Sequence, residues 1–150
     1  MDKQRRERKD QHIENYLRTK SRGSTLLEDV YIEHNAISDI SLSQIDTSIE
    51  FMGRRIAMPL MVDAMTGGGD TSASINEDLS SICEAVGIPM AVGSESIAIT
   101  DPASHESFEL VKHKEDLLRI GNLGFERSFD DFIFARNPVS YTHLTLPTKA

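Results

Sequence analysis

The stretch that decides the fold runs from Met58 to Asp70 and reads MPLMVDAMTGGGD. Its first half, Met58 to Asp63, is an apolar run of strand length that opens into Gly67-Gly68-Gly69. Asp70 stands where an N-cap is expected for a helix from about Thr71 to Val86. Ile75, Leu79, Ile82 and Val86 recur on one face of that helix, and Gly87 closes it.

The same unit repeats downstream. Pro89 to Val92 is a second short strand ending in Gly93-Ser94. A short helix near Ser107–His113 leads to a third strand, Leu117 to Ile120, and to GNLG at 121–124. Phe129 to Ala135 begins another helix. Successive strand–helix units with right-handed crossovers predict a parallel sheet in an α/β fold. In such folds the site lies at the carboxyl ends of the strands. Those ends read MTGGG, GSES and GNLG, all small, polar and rich in glycine, as required where backbone approaches a ligand closely. One such loop alone is more simply a tight turn; three in register favour a ligand site.

Upstream, residues 4–20 read as a helix with Ile13, Tyr16 and Leu17 at i, i+3 and i+4, ended by Arg22-Gly23-Ser24. A turn of apolar spacing follows around Leu26, Leu27, Val30 and Ile32. Alternation from Ile45 to Ile56 about Met52-Gly53 predicts a small hairpin. Pro138 to Ala150, PVSYTHLTLPTKA, has no acidic residue and no helical period. It reads as foreign to the fold, so residues 1–137 form one unit and 138–150 an artefactual tail.

Composition sets the class. The chain has 150 residues, 39% hydrophobic and 27% charged, which suits one soluble globular domain. No apolar run approaches the roughly 20 residues of a membrane helix, and the basic N-terminus lacks the apolar core of a signal peptide. A lone cysteine, Cys83, excludes an internal disulfide framework. These features predict a cytoplasmic protein with no membrane partner. Residues 1–22 hold eight basic and four acidic side chains, leaving eight basic and twenty acidic over the other 128. The acidic body repels a nucleic-acid backbone, so nucleic-acid binding would rest on the arm alone.

Four positions carry candidate chemistry. Arg8-Lys9, with Asp10 and His12 nearby, couples a planar fork to a point charge, a pairing suited to a diphosphate; the simpler reading is a solvated helix face. Met65-Thr66-Gly67-Gly68 offers a hydroxyl and backbone amides to a flat ring or an anion, yet lacks the P-loop lysine and the GxGxxG spacing. Ser94 and Asn122 each follow a strand, on the same edge as Thr66. The other candidates have plainer readings. His34, His105, His113 and His143 show no metal-ligand spacing and read as surface residues, Cys83 as a small core residue beside Leu79 and Ile82, and Asp130-Asp131 as a helix start.

In order and spacing, RKDQHI, PLMVDAMTGG, Ile75-Asn76, AVGSES and GNLG resemble type 2 isopentenyl-diphosphate delta-isomerase over about residues 5–137. The resemblance implies the N-terminal portion of a TIM (β/α)8 barrel, about three βα units plus an N-terminal helix. It implies a flavoprotein that uses reduced FMN, NADPH or another reductant, and Mg2+ to convert isopentenyl diphosphate to dimethylallyl diphosphate in isoprenoid biosynthesis, as a homo-oligomer. Carried onto this chain, Arg8, Lys9, Ser94, Glu95 and Ser96 contact substrate, while Ala64, Met65, Thr66, Ser94 and Asn122 contact the flavin. The family often has Ser-Gln-Arg where this chain has Ser94-Glu95-Ser96, which puts the diphosphate contact in doubt. Catalytic residues and the Mg2+ carboxylate are expected beyond Asn137, so the chain as it stands is expected to be inactive. Two alternatives stand beside this one: an FMN-barrel oxidoreductase of the hydroxy-acid oxidase or inosine-monophosphate-dehydrogenase type, and a non-catalytic module binding through its basic arm.

Overall fold

A computed structural model of the chain describes residues 2–19, 23–37, 39–112, 116–124, 128, 130–131, 133 and 143–145. Helix α1 spans Asp2–Arg18. Strands β1 (Ile49–Phe51) and β2 (Arg54–Ile56) form the expected hairpin, paired antiparallel with Phe51 opposite Arg54. Met52 and Gly53 both take positive φ, +50° and +73°, the turn whose twist matches the strands.

The second sheet is parallel. Strand β3 (Met90–Ala91) pairs with β4 (Arg119–Asn122), and β4 pairs with β5 (His143–Thr145). Strand β5 therefore comes from the stretch set apart in sequence as a tail. The run Met58 to Asp63 joins this sheet at one residue only: Val62 bridges Met90, and Ala91 N donates to Val62 O at 2.8 Å. The expected full strand is lost because Pro59 has no N–H and the Leu60 N–H turns back to Met58 O at 2.8 Å, which takes both out of the ladder. The third strand begins two residues later than expected, although Leu118 O already accepts the Met90 N–H at 3.1 Å.

Helix α2 spans Asp70–Val86 and α3 spans Glu106–Lys112. The N-cap of α2 is Gly69, with Asp70 inside the helix, and no side chain caps it; Gly87 is the C-cap, its N–H reaching Cys83 O and Glu84 O. The expected apolar face is buried only in part: Leu79 packs against the core and Ile75 is half-buried. Ser72, Asn76, Ser80 and Cys83 are buried, while Ile82 and Val86 are exposed. The reason is the neighbour: small side chains let α3 approach closely, and Asn76 Nδ2 donates to Ser107 O at 2.9 Å. Helix α1 departs likewise, with Tyr16 and Leu17 exposed.

The core gathers Cys83, Met90, Val92, Ile97, Phe108, Val111 and Leu117 between α2, α3 and the sheet. Burial there raises the Cys83 thiol above its ordinary range, consistent with an inert core residue. Asp130, Asp131 and Ile133 are helical, and the remainder of the helix expected over 129–135 lies outside the described residues, as does His113. No helix among the described residues is long and apolar enough to cross a membrane. The architecture is a mixed α/β one with few, short strands.

Candidate functional site

The parallel register brings the glycine-rich loops to one edge. Gly93 N donates to Thr66 O at 2.6 Å, and a Cβ on Gly93 would lie 2.6 Å from that oxygen, so the first two loops touch through backbone. The pairing of Ala91 with Ile120, continued two residues, sets Gly93 opposite Asn122. Thr66, Ser94 and Asn122 thus stand side by side at the carboxyl ends, as the repeat predicts. Gly68 has φ +88°, and a Cβ there would clash with Ile97; only glycine serves.

Behind this edge lies a cavity of about 550 Å3 between α1, α2 and the open side of β3. Its walls include Arg8, Lys9 and His12 from α1, Met65 and Thr66, and Met90 with Ala91. That volume lies in the range of small-molecule sites. Ser94, Glu95, Ser96, Asn122 and Ala64 are not on its walls. The Ser94 hydroxyl instead donates to Ser96 Oγ at 3.1 Å.

Two residues that sequence reading gave no site role organise the Thr66 loop. The Thr66 hydroxyl donates to Asn76 Oδ1, and Asn76, fully buried, holds the Ser107 carbonyl through its amide. Ser107 Oγ in turn accepts the Gly68 N–H at 2.7 Å and donates to Ser104 O at 2.9 Å. With its proton committed, Thr66 offers a ligand lone pairs only, so it accepts. The signal for this network was the i, i+4, i+8 spacing of Ser72, Asn76 and Ser80, one residue out of phase with the apolar stripe.

Arg8 and Lys9 diverge, as neighbours on a helix must. Arg8 is exposed on the cavity rim, whereas Lys9 turns inward and donates to Ser94 O at 3.1 Å. Below it, Glu95 is fully buried with neither carboxylate oxygen hydrogen-bonded. Burial pushes its carboxyl up to about 9, and the nearby Lys9 charge opposes this only in part. Burial therefore favours the neutral acid at pH 7. His34 is exposed, but His105 Nε2 lies 2.7 Å from Ala98 O, a structural contact rather than a free surface ring. Among the described residues no cluster of three metal-ligating side chains forms.

Fold and site together define an α/β protein with a glycine-rich edge, covered by a basic helix. No family model matches the chain. Curated relatives do. It is 41% identical over 103 residues to isopentenyl-diphosphate delta-isomerase of Pyrobaculum arsenaticum, covering 68% of this chain and 29% of that protein. It is 36% identical over 129 residues to the enzyme of that name from Bacillus licheniformis, covering 84% and 37%. It is 37% identical over 117 residues to the one from Methanococcus maripaludis, covering 75% and 33%. Over the matched stretch the chain belongs to the isopentenyl-diphosphate delta-isomerase family. It spans about a third of the length of the curated relatives it matches.

Proposed function

We propose that these residues form part of a type 2, FMN-dependent isopentenyl-diphosphate delta-isomerase, the N-terminal portion of its (β/α)8 barrel. One observation carries the reading: α1 brings Lys9 against both the Gly67-Gly68 and Ser94-Glu95 loops, joining the basic helix to the strand-end motifs. The motif order and the archaeal and Bacillus relatives support it.

The residues present fit one side of a flat ring. Met65, Met90 and Ala91 supply an apolar wall, and Thr66 supplies an acceptor. Ser94 and Asn122 stand along the same edge and would hydrogen-bond the ring. When bound, reduced FMN supplies the acid–base chemistry of the allylic double-bond shift. The chain's own residues bind and orient: Lys9 and Arg8 hold the substrate diphosphate, one as a point charge, the other as a fork. Glu95, held neutral by burial, adds no negative charge to the loop where the family has glutamine. Ser94 and Ser96 contribute hydroxyls to the same loop. In this reading Mg2+ and NADPH serve the whole protein, which acts as a homo-oligomer in the cytoplasm.

The test is product analysis in a protein of the relatives' full length carrying these residues. Isopentenyl diphosphate with FMN, Mg2+ and catalytic reductant is expected to give dimethylallyl diphosphate. One equivalent of reductant consumed per turnover would mark an oxidoreductase instead. The 150-residue polypeptide alone is expected to show no turnover and to lose FMN on gel filtration.

A further inference from the structure

Helix α1 is docked by charge. Arg6, Lys9, Asp10 and Ile13 are partly buried at i, i+3, i+4 and i+7, while Arg8, His12, Tyr16 and Leu17 are exposed. Three of these four inward residues are charged, and each meets a different part of the rim. Arg6 Nε lies 3.0 Å from Asp101 Oδ2, in the loop that follows the Ser94-Glu95 turn. Lys9 reaches the Ser94 carbonyl at 3.1 Å, its stem passing Gly68. The Asp10 carboxylate fills the space that a Cβ on Gly69 would take. Gly69 is the N-cap of α2, where partial positive charge favours a carboxylate; no side chain makes a cap hydrogen bond there, and Asp70 is the acidic residue of α2's own first turn.

The Arg6–Asp101 pair differs from the chain's other described ion pairs. Its side chains are 31% and 10% exposed, whereas Lys3–Glu7, Arg18–Glu14 and Arg55–Asp46 are all more than half exposed. Exposed pairs contribute little, but removing one member of a desolvated pair leaves an uncompensated charge. Asp101 is also fixed from its own side, because its Oδ1 accepts the Ala103 N–H at 3.1 Å and caps the short 3-10 turn Pro102–Ser104. It is a rigid anchor.

We infer that Arg6, Asp101 and Asp10 are positioning residues that latch α1 onto the loops in the one register that lays Lys9 across Gly68 to Ser94. This rests on the reading that Lys9 serves the substrate diphosphate. The arm is then not a free basic tail but a cover, held at three points around the glycine-rich edge.

The test uses the 150-residue chain and the acylation rate of Lys9 by acetic anhydride, with exposed Lys3 on the same helix as internal standard. In the unmodified chain Lys9 is expected to label about tenfold more slowly than Lys3. Arg6→Ala and Asp101→Asn each raise the Lys9 rate towards that of Lys3, while amide exchange in α2 stays unchanged. Arg6→Lys, which keeps the charge and leaves the Asp101 cap on Ala103 intact, keeps the slow rate, which a purely packing role would not do. If Asp101→Asn loses α2 protection, it has failed to fold, and Arg6→Ala with Arg6→Lys as its conservative rescue decides the matter. Equal labelling of Lys9 and Lys3 in the unmodified chain overturns the latch, as does an unchanged ratio in Arg6→Ala. Inorganic pyrophosphate separates the two ideas. If it gives Lys9 no further protection while the variants behave as stated, the latch stands and the diphosphate reading falls.

Discussion

Residues 57–124 and residues 23–47 are both rich in large apolar side chains, and only the first region buries them. Phe108, Val111 and Leu123 are fully buried, whereas Tyr31 is 97% and Leu42 88% exposed. Every described residue from 23 to 47 is exposed. That region is held by hydrogen bonds and not by packing: Leu26 N to Ser24 Oγ at 2.9 Å and Ser41 N to Gln44 Oε1 at 2.8 Å within it, and Arg55 Nη2 to Asp46 Oδ2 and Thr47 Oγ1 to Ala57 O, each at 2.7 Å, at its end. In 57–124 the chain returns on itself through a parallel ladder and two closely packed helices. Apolar content supplies the material for a core; recurrence in space makes one.

The largest test of this contrast is Phe108→Ala. Its ring is fully enclosed and touches the space over Gly67, so truncation leaves a cavity beside the glycine-rich loop. The expected loss is about 3–5 kcal/mol of unfolding free energy in urea titration. A loss below about 1 kcal/mol would mean that the region is not a cooperative core.

A second test bears on the site itself. In a protein of the relatives' full length, Lys9→Ala is expected to raise the substrate KM about tenfold or more, with flavin content unchanged, as removal of a charge-assisted hydrogen bond worth about 1.5–3 kcal/mol implies. Arg8→Ala, on the exposed rim, is expected to do the same with less effect on folding. Thr66→Val is expected to lower flavin retention, because it removes the acceptor hydroxyl, and to cost about 1–3 kcal/mol of stability as well, because it cuts the tie to the buried Asn76. Equal loss of flavin and substrate affinity in Lys9→Ala would point to misfolding.

The hairpin at Met52-Gly53 and the end of α2 at Gly87 were legible in sequence because each depends on residues a few positions apart, and the alignment of the strand-end loops was legible because the strand–helix unit repeats. What sequence hid depends on distant neighbours. The buried face of α2 is the polar one because α3 comes close, and α3 is thirty residues away in chain order. Lys9 points inward and Arg8 outward for a reason that lies in Asp101 and Gly69, neither of which marks itself as a docking point for the arm. The Met58–Asp63 strand dwindled to Val62 through a turn at Leu60 that hydrophobic pattern does not encode. The protein scale of the family resemblance, by contrast, was carried by motifs and not by periodicity.

Glu95 offers a smaller effect with a distinctive sign. Its carboxyl sits at about 9 in the folded chain, far above the usual carboxylate range, because burial disfavours the charged form. A group raised in this way binds more protons in the native state than in the unfolded one. Stability is therefore full below the unfolded value and falls as pH rises towards about 9. Glu95→Gln removes that slope. At pH 8 it is expected to stabilise the chain by a few kcal/mol, since the slope of about 1.4 kcal/mol per pH unit acts from the unfolded value upward. At pH 4 the two proteins should be nearly equal. Parallel stability–pH curves from pH 5 to 9 would show that Glu95 is solvated and ionised.

The smallest effect is the sharpest probe of the exposed region. Tyr31→Ser and Leu42→Ser remove side chains that are almost wholly in water, so in the 150-residue polypeptide each is expected to change unfolding free energy by no more than about 0.5 kcal/mol. The relatives are more than twice as long, and nine large apolar side chains between Leu26 and Ile45 form a surface that additional chain could cover. In a protein of that length the same substitutions are expected to cost about 1–3 kcal/mol each, since burying such a side chain contributes about that much. The comparison is a difference of differences, which removes the effect of each serine on the unfolded chain. If both substitutions are neutral at both lengths, the apolar residues of 23–47 are ordinary exposed ones and the contrast between the two regions is one of composition and not of missing neighbours. If both are costly in the short polypeptide, that region already packs against something of its own.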